Sequence, residues 1–156
     1  MPLDSQAKHS LEQRAAAGIP GQHQVSPEEA RRMQEAQPRL PGPEVEVVED
    51  RIIPGPHGAI PIRIYRPASE EPLPITMWFH GGGWVIGNIE TNDATCRALA
   101  DQSQAIVISV DYRLSPEHKF PVPFDDCYAA TCWAAENAAS FGGDPGRLGV
   151  AGASAG

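Results

Sequence analysis

The hydrophobic rhythm of the chain changes near residue 44. Before it, residues 1–43 are polar, rich in Gln, Ala and Glu, and close on the breaker run Pro38-Arg39-Leu40-Pro41-Gly42-Pro43. Ser26-Pro27-Glu28-Glu29 reads as a helix start. Ser26 can cap, Pro27 loses nothing at the first helical position, and Glu29 completes a capping box. That helix is expected to reach about Gln37, because the residue before Pro38 is pushed out of the helical region. A weaker helix is expected over 7–17. Segments so poor in apolar residues build no core alone, so 1–43 reads as a helical cap or arm on a domain spanning 44–156.

From Glu44 onward, strands and helices take turns. Residues 44–49 alternate, Pro54-Gly55-Pro56-His57-Gly58 is a turn, and Ile60, Ile62 and Ile64 mark a second alternating segment. This pattern predicts an antiparallel pair over 45–66. Residues 75–79 form a compact apolar strand, 91–103 a modest helix, and 105–110 an apolar run suited to a strand buried on both faces. The clearest helix covers 121–140, with Phe124, Cys127, Tyr128, Thr131, Cys132 and Ala135 along one stripe. A short buried strand is expected at 148–151. Hairpin, strand, helix, strand, helix, strand predicts an α/β fold: a mostly parallel sheet flanked by helices.

Composition narrows the class. The 156 residues suit one domain. Twenty acidic against 12 basic side chains leave a formal charge of −8, which argues against nucleic acid or an anionic membrane surface as partner. Fifteen Gly and 16 Pro imply many tight turns. Cys96, Cys127 and Cys132 are odd in number and lack C-x-x-C spacing, so neither a disulfide framework nor a zinc site is indicated. No signal peptide is visible and no stretch is long enough to span a membrane. The expectation is a soluble, cytoplasmic domain.

Two elements carry chemistry. Gly152-Ala153-Ser154-Ala155-Gly156 is a G-x-S-x-G directly after a strand. A nucleophile on a sharp strand-to-helix turn is held strained, so both flanks must be small for neighbouring chain to pass. The turn lifts the Ser154 hydroxyl into solvent and aims the Ala155 N–H at the reaction centre. A plain turn of small residues would carry the same letters. His80-Gly81-Gly82-Gly83-Trp84, after the 75–79 strand, changes that balance. Three glycines let successive N–H groups converge on one point, as an oxyanion hole requires. A phosphate-cradling loop is disfavoured, because no GK[ST] follows and G-x-G-x-x-G is absent.

With these motifs and the run Asp111-Tyr112-Arg113-Leu114-Ser115-Pro116-Glu117-His118-Lys119-Phe120-Pro121, the chain resembles the hormone-sensitive-lipase-type bacterial carboxylesterases of the α/β-hydrolase fold. The resemblance extends over the whole chain, including the arm, which in that family contributes to the cap over the acyl pocket. It implies Ser154 as nucleophile and Gly82, Gly83 and Ala155 as oxyanion donors. It also implies short or medium acyl esters as small-molecule substrates, no cofactor or metal, and, if the intact protein associates, a homodimer. Members usually carry Asp where this chain has Ala153. In this fold the triad acid and base follow the serine, yet only Ala155 and Gly156 follow Ser154, so the chain reads as the N-terminal half, truncated after the nucleophile elbow. A non-catalytic fragment or ligand-binding relative, and an amidase or formamidase, are the alternatives.

The remaining polar residues receive plainer roles. His80 is expected to support the glycine loop, and Trp84 either lines the acyl pocket or packs. His118 is expected to orient backbone; His9, His23 and His57 are expected to be solvated. Asp111 and Arg113 are expected to pair beneath the site, Asp125 and Asp126 to suit a helix dipole, and the helical cysteines to sit in the core. A sheet ending on the elbow leaves an edge exposed. Expressed alone, residues 1–156 should therefore associate or melt broadly in sedimentation and thermal scans; a sharply melting monomer would contradict this.

Overall fold

A computed structural model of the chain describes residues 2–21 and 24–156, so His23 lies outside the described residues. Helix α1 (Ser5–Ala16) is capped by Asp4, whose carboxylate accepts the N–H groups of Gln6 and Ala7 at 2.9 and 3.4 Å, and it buries none of its residues. Helix α2 (Pro27–Glu35) begins as its sequence predicts, with the Ser26 hydroxyl accepting the Glu29 N–H at 3.2 Å and Pro27 in the first turn. The exposed Glu29 side chain makes no return bond, so the cap is single rather than a box. The helix also stops short of Gln37, at Glu35.

Five strands form one mixed sheet: β1 (Val47–Ile53), β2 (Ile60–Arg66), β3 (Leu73–Phe79), β4 (Ile106–Val110) and β5 (Gly143–Gly152), in the order β1-β2-β4-β3-β5. β1 and β2 are the expected hairpin, and β2 also pairs antiparallel with β4. β4, β3 and β5 run parallel. Helix α3 (Ile89–Ser103) covers one face, where Tyr65, Val107, Cys96 and Ala100 are buried. Helix α4 (Val122–Asn137) covers the other, over Ile60, Ile62, Ile64, Ile75, Met77, Ile106 and Ile108. β4 lies between both layers and is buried at all five positions, as its unbroken apolar run requires.

Four further expectations are corrected. The face of α4 that meets the sheet carries Pro123, Asp126, Ala130 and Ala134, while Phe124 and Tyr128 are 63% and 65% exposed. Small residues let the helix approach the sheet closely, and the two rings stack on each other outside, with centroids 6.5 Å apart. β5 is less buried than its apolar residues suggest: among the described residues it pairs with β3 alone, as the exposed edge also expected from the sequence, and Val150 is 64% exposed. Arg113 pairs with Asp126 at 2.6 Å, not with Asp111, because α4 carries Asp126 beneath the loop that follows β4. His57 is not merely solvated: its Nε2 lies 2.8 Å from Asp125 Oδ2, joining the hairpin turn to α4.

Asp126 is wholly buried and takes both the Arg113 N–H, at 3.1 Å, and its Nη1. Removing the carboxylate leaves a half-buried guanidinium without its counter-charge, holding only the Ala59 carbonyl, at 3.1 Å. Asp126→Ala is therefore expected to lower unfolding free energy by about 3 kcal/mol, read as a fall in urea midpoint. Asp125→Ala, on the exposed side of the same turn, should cost less than about 1 kcal/mol.

Candidate active site

At the carboxyl end of β5 the chain bends sharply. Ser154 adopts φ +54°, a left-handed conformation that costs a side-chain-bearing residue energy and persists only where surroundings enforce it. Here backbone enforces it. The Ala153 N–H donates to the Phe79 carbonyl at 3.2 Å and the Gly156 N–H to the Ala153 carbonyl at 2.9 Å. A Cβ on Gly152 would stand 2.4 Å from the Gly156 carbonyl carbon, and one on Gly156 would stand 2.0 Å from the Phe79 carbonyl oxygen. The G-x-S-x-G spacing is thus a steric requirement: the two glycines pass each other and the end of β3 with no room for a methyl group.

The glycine loop starts where β3 stops, one strand away. A Cβ on Gly81 would lie 2.7 Å from the Ala153 carbonyl oxygen and 3.5 Å from Ser154 Cβ, so loop and bend touch through backbone. Gly82 has φ +130°, and a Cβ there would overlap the Ile86 carbonyl oxygen at 2.0 Å. That crowding comes from a tight turn in which the Val85 and Ile86 N–H groups both donate to the Gly82 carbonyl at 3.1 Å. Gly83 faces open space at φ +61°, and Trp84, at φ +60°, continues the left-handed path. Ser154 and Ala155 therefore stand at the strand end next to the loop of Gly82 and Gly83, over 70 residues away in sequence, with the contact made through Gly81, because β3 and β5 pair in parallel register.

Beneath the loop, His80 is fully buried. Its Nδ1–H donates to the Gly81 carbonyl at 2.9 Å, and its ring stacks on Tyr112 with centroids 4.3 Å apart. The Tyr112 hydroxyl donates to the His80 carbonyl. Burial holds the His80 imidazole below its ordinary titration range, so the ring is neutral. Burial also raises the Asp111 carboxyl, which lies near His80. Tyr112 was part of a distinctive run in sequence, but nothing there marked it as the floor of the glycine loop.

An apolar cleft of about 520 Å³ opens beside the bend, lined among others by Phe79, Trp84, Tyr112, Phe124, Tyr128 and Ala155. Trp84, 54% exposed, thus stands on the cleft wall rather than in the core. Cys127 also lines it, with its thiol pushed up to about 12 by burial and so unreactive; Cys132 is half-buried. Among the described residues, no group hydrogen-bonds the exposed Ser154 hydroxyl. His118 is exposed in its loop, and His9 is exposed on α1 with its Nε2 2.9 Å from the Gln13 side-chain amide. No cluster of three or more His, Cys, Asp or Glu among the described residues could hold a metal ion. No helix among them is long and apolar enough to cross a membrane.

Residues 76–156, the stretch from β3 through the bend, match the family model described as the alpha/beta hydrolase fold. The chain belongs to this family. Within it, the hormone-sensitive-lipase-type carboxylesterases remain the group it resembles, and its relatives carry matching names. It is 48% identical over 119 residues to a carboxylic ester hydrolase, LipN, of Mycobacterium tuberculosis, an alignment covering 75% of this chain and 32% of that protein. To the carboxylesterase NlhH of the same organism it is 53% identical over 98 residues, 62% of this chain and 31% of that one. Among solved structures, a hyperthermophilic esterase from the archaeon Pyrobaculum calidifontis superposes with a TM-score of 0.86 at 40% identity, covering 100% of this chain and 51% of that one. The chain thus spans about a third of the curated relatives' length and about half that of the solved esterase.

A buried neutral histidine makes stability depend on pH. The folded state binds a proton less readily than the unfolded chain, so the stabilisation is complete above 6.5 and is lost as pH falls below it. The urea midpoint of the wild-type chain is expected to drop between pH 7 and 5 more steeply than that of His80→Gln, which keeps a donor for Gly81 but does not titrate. Parallel curves would remove His80 as the cause.

Proposed function

We propose that this chain supplies the nucleophile and oxyanion donors of a serine carboxylester hydrolase. Ser154 attacks the carbonyl of a short or medium acyl ester to form an acyl-enzyme. The N–H groups of Gly82, Gly83 and Ala155 hold the oxygen as it becomes negative, at roughly 3 kcal/mol or more per donor. The proton of the Ser154 hydroxyl passes to a general base and from it to the departing alcohol, so that attack forms one ester bond as the other breaks. His80 keeps the glycine loop folded, Trp84 walls the acyl side, and 1–43 acts as the cap.

The observation that carries this reading is the left-handed Ser154 pressed against Gly81 at the end of parallel strands. No ordinary turn needs two glycines and a loop of three more in mutual backbone contact. Relatives named as carboxylic ester hydrolases support the ester over other acyl compounds. The apolar cleft supports a lipase-like preference for hydrocarbon acyl groups. A cytoplasmic location is part of the reading, supported by three cysteines kept as free thiols. The second reading, a binding or non-catalytic chain, is favoured by one observation: Ser154 lacks a hydrogen-bonded base among the described residues, and an unassisted serine is a poor nucleophile.

Ser154→Ala is expected to abolish both fluorophosphonate labelling and p-nitrophenyl butyrate turnover in a protein carrying this chain, with its circular dichroism unchanged. Turnover surviving in that variant would remove Ser154 from the mechanism. Absence of labelling in the wild type would favour the non-catalytic reading, and faster cleavage of a matched anilide than of the ester would favour an amidase.

A further inference from the structure

One side chain of the arm reaches both loops around the site. Arg31, on α2, donates Nε–H to the Val85 carbonyl at 2.7 Å and Nη2–H to the Ser115 carbonyl at 2.8 Å. Its other contacts are bidentate on Glu117, from Nη1 at 2.8 Å and Nη2 at 2.7 Å. Val85 belongs to the turn closed on the Gly82 carbonyl, and the Ser115 N–H donates to the Trp84 carbonyl at 2.7 Å. The guanidinium therefore bridges the very place where the glycine loop and the loop after β4 are already joined. No neighbour in sequence is involved; these partners lie 54 to 86 positions away.

We propose that Arg31 is a positioning residue for the oxyanion loop, fixing the turn that bends Gly82 and Gly83 by holding the carbonyls of Val85 and Ser115 together with Glu117. The proposal rests on the oxyanion role given to Gly82 and Gly83 above. Its physical basis is geometric. Gly82, Gly83 and Trp84 all sit at positive φ, and a loop so bent, with glycines free to relax, needs restraint from outside itself. A planar fork with its donors at fixed angles satisfies two carbonyls and a carboxylate at once; an ammonium cannot match that set. The Glu117 carboxyl is held down at about 2 by Arg31, so the clasp stays ionised throughout the range in which esterases are assayed. Arg31 is itself half-buried. The arm thereby becomes part of the site's geometry instead of a flap beside it.

Hydrogen–deuterium exchange of a protein carrying this chain tests this directly. In Arg31→Gln and Arg31→Lys, the amides of residues 82–87 and of Leu114, Ser115, Glu117 and His118 are expected to exchange at least tenfold faster, while those of β3 and β4 keep their wild-type rates. Glu117→Gln, which leaves both carbonyl contacts in place, should show a smaller rise. Unchanged exchange in the two loops would overturn the proposal, and so would a uniform rise through the sheet, which marks a merely structural residue. Kinetics of a protein carrying the chain add the catalytic consequence. Displacing donors rather than deleting one should lower kcat about tenfold, less than the hundredfold or more of outright removal, with KM within about twofold and Lys failing to rescue. A rise in KM alone, or full rescue by Lys, would refute the geometric role. If wild type shows no turnover, the esterase reading fails, and the exchange result still decides whether Arg31 holds the loop.

Discussion

The site depends on one contact, between the backbone of the glycine loop and the backbone of the bend at Ser154. Each side is shaped by what the other cannot tolerate. Gly152 and Gly156 cross the end of β3 where a methyl group would overlap carbonyl atoms, and Gly81 lies against the Ala153 carbonyl in the same way. The strain at Ser154 is held by these neighbours and by the Phe79 carbonyl. Strained conformations of this kind survive only when surrounding structure over-determines them, and the parallel pairing of β3 with β5 supplies that structure. Even the buried His80 fits this scheme: its ring, flat on Tyr112, fills the space beneath the loop that the glycines leave without side chains.

Much of this was legible in the letters. Pro27 after Ser26, the isoleucines at alternate positions, and the apolar run at 105–110 each announce a local structure that tertiary packing confirms rather than overrides. The serine bend and glycine loop were legible too, because glycine is used in clusters only where backbone must pass close to backbone. Their juxtaposition followed from the expected parallel topology.

What the letters hid was which polar group meets which. Arg113 stood two residues from Asp111 and thirteen from Asp126, and proximity in sequence favoured the wrong partner; helix α4 decided it by presenting Asp126 inward. His57 and Asp125 are brought together only when the hairpin turn packs on that helix. On α4 itself, apolarity suggested the aromatic stripe as the inner face, yet closeness to the sheet selected Ala130 and Ala134 instead. Periodicity reveals that a helix has faces. It does not reveal how near its neighbour stands. The Arg31 fork was out of reach for the same reason, since its acceptors include main-chain carbonyls, which every residue possesses and no sequence marks.

The strand order carries a kinetic consequence. The β1–β2 hairpin closes over a short turn, whereas β3 finds β5 across a separation such as that of Ile75 from Leu148. Encounters between distant segments are slow, because the intervening chain must surrender its freedom before any contact is gained. Ser154 takes up its bend only once that encounter is complete. A nascent chain would therefore carry an ordinary, relaxed serine until β5 reaches β3, and the strained bend would mark that pairing rather than any earlier collapse.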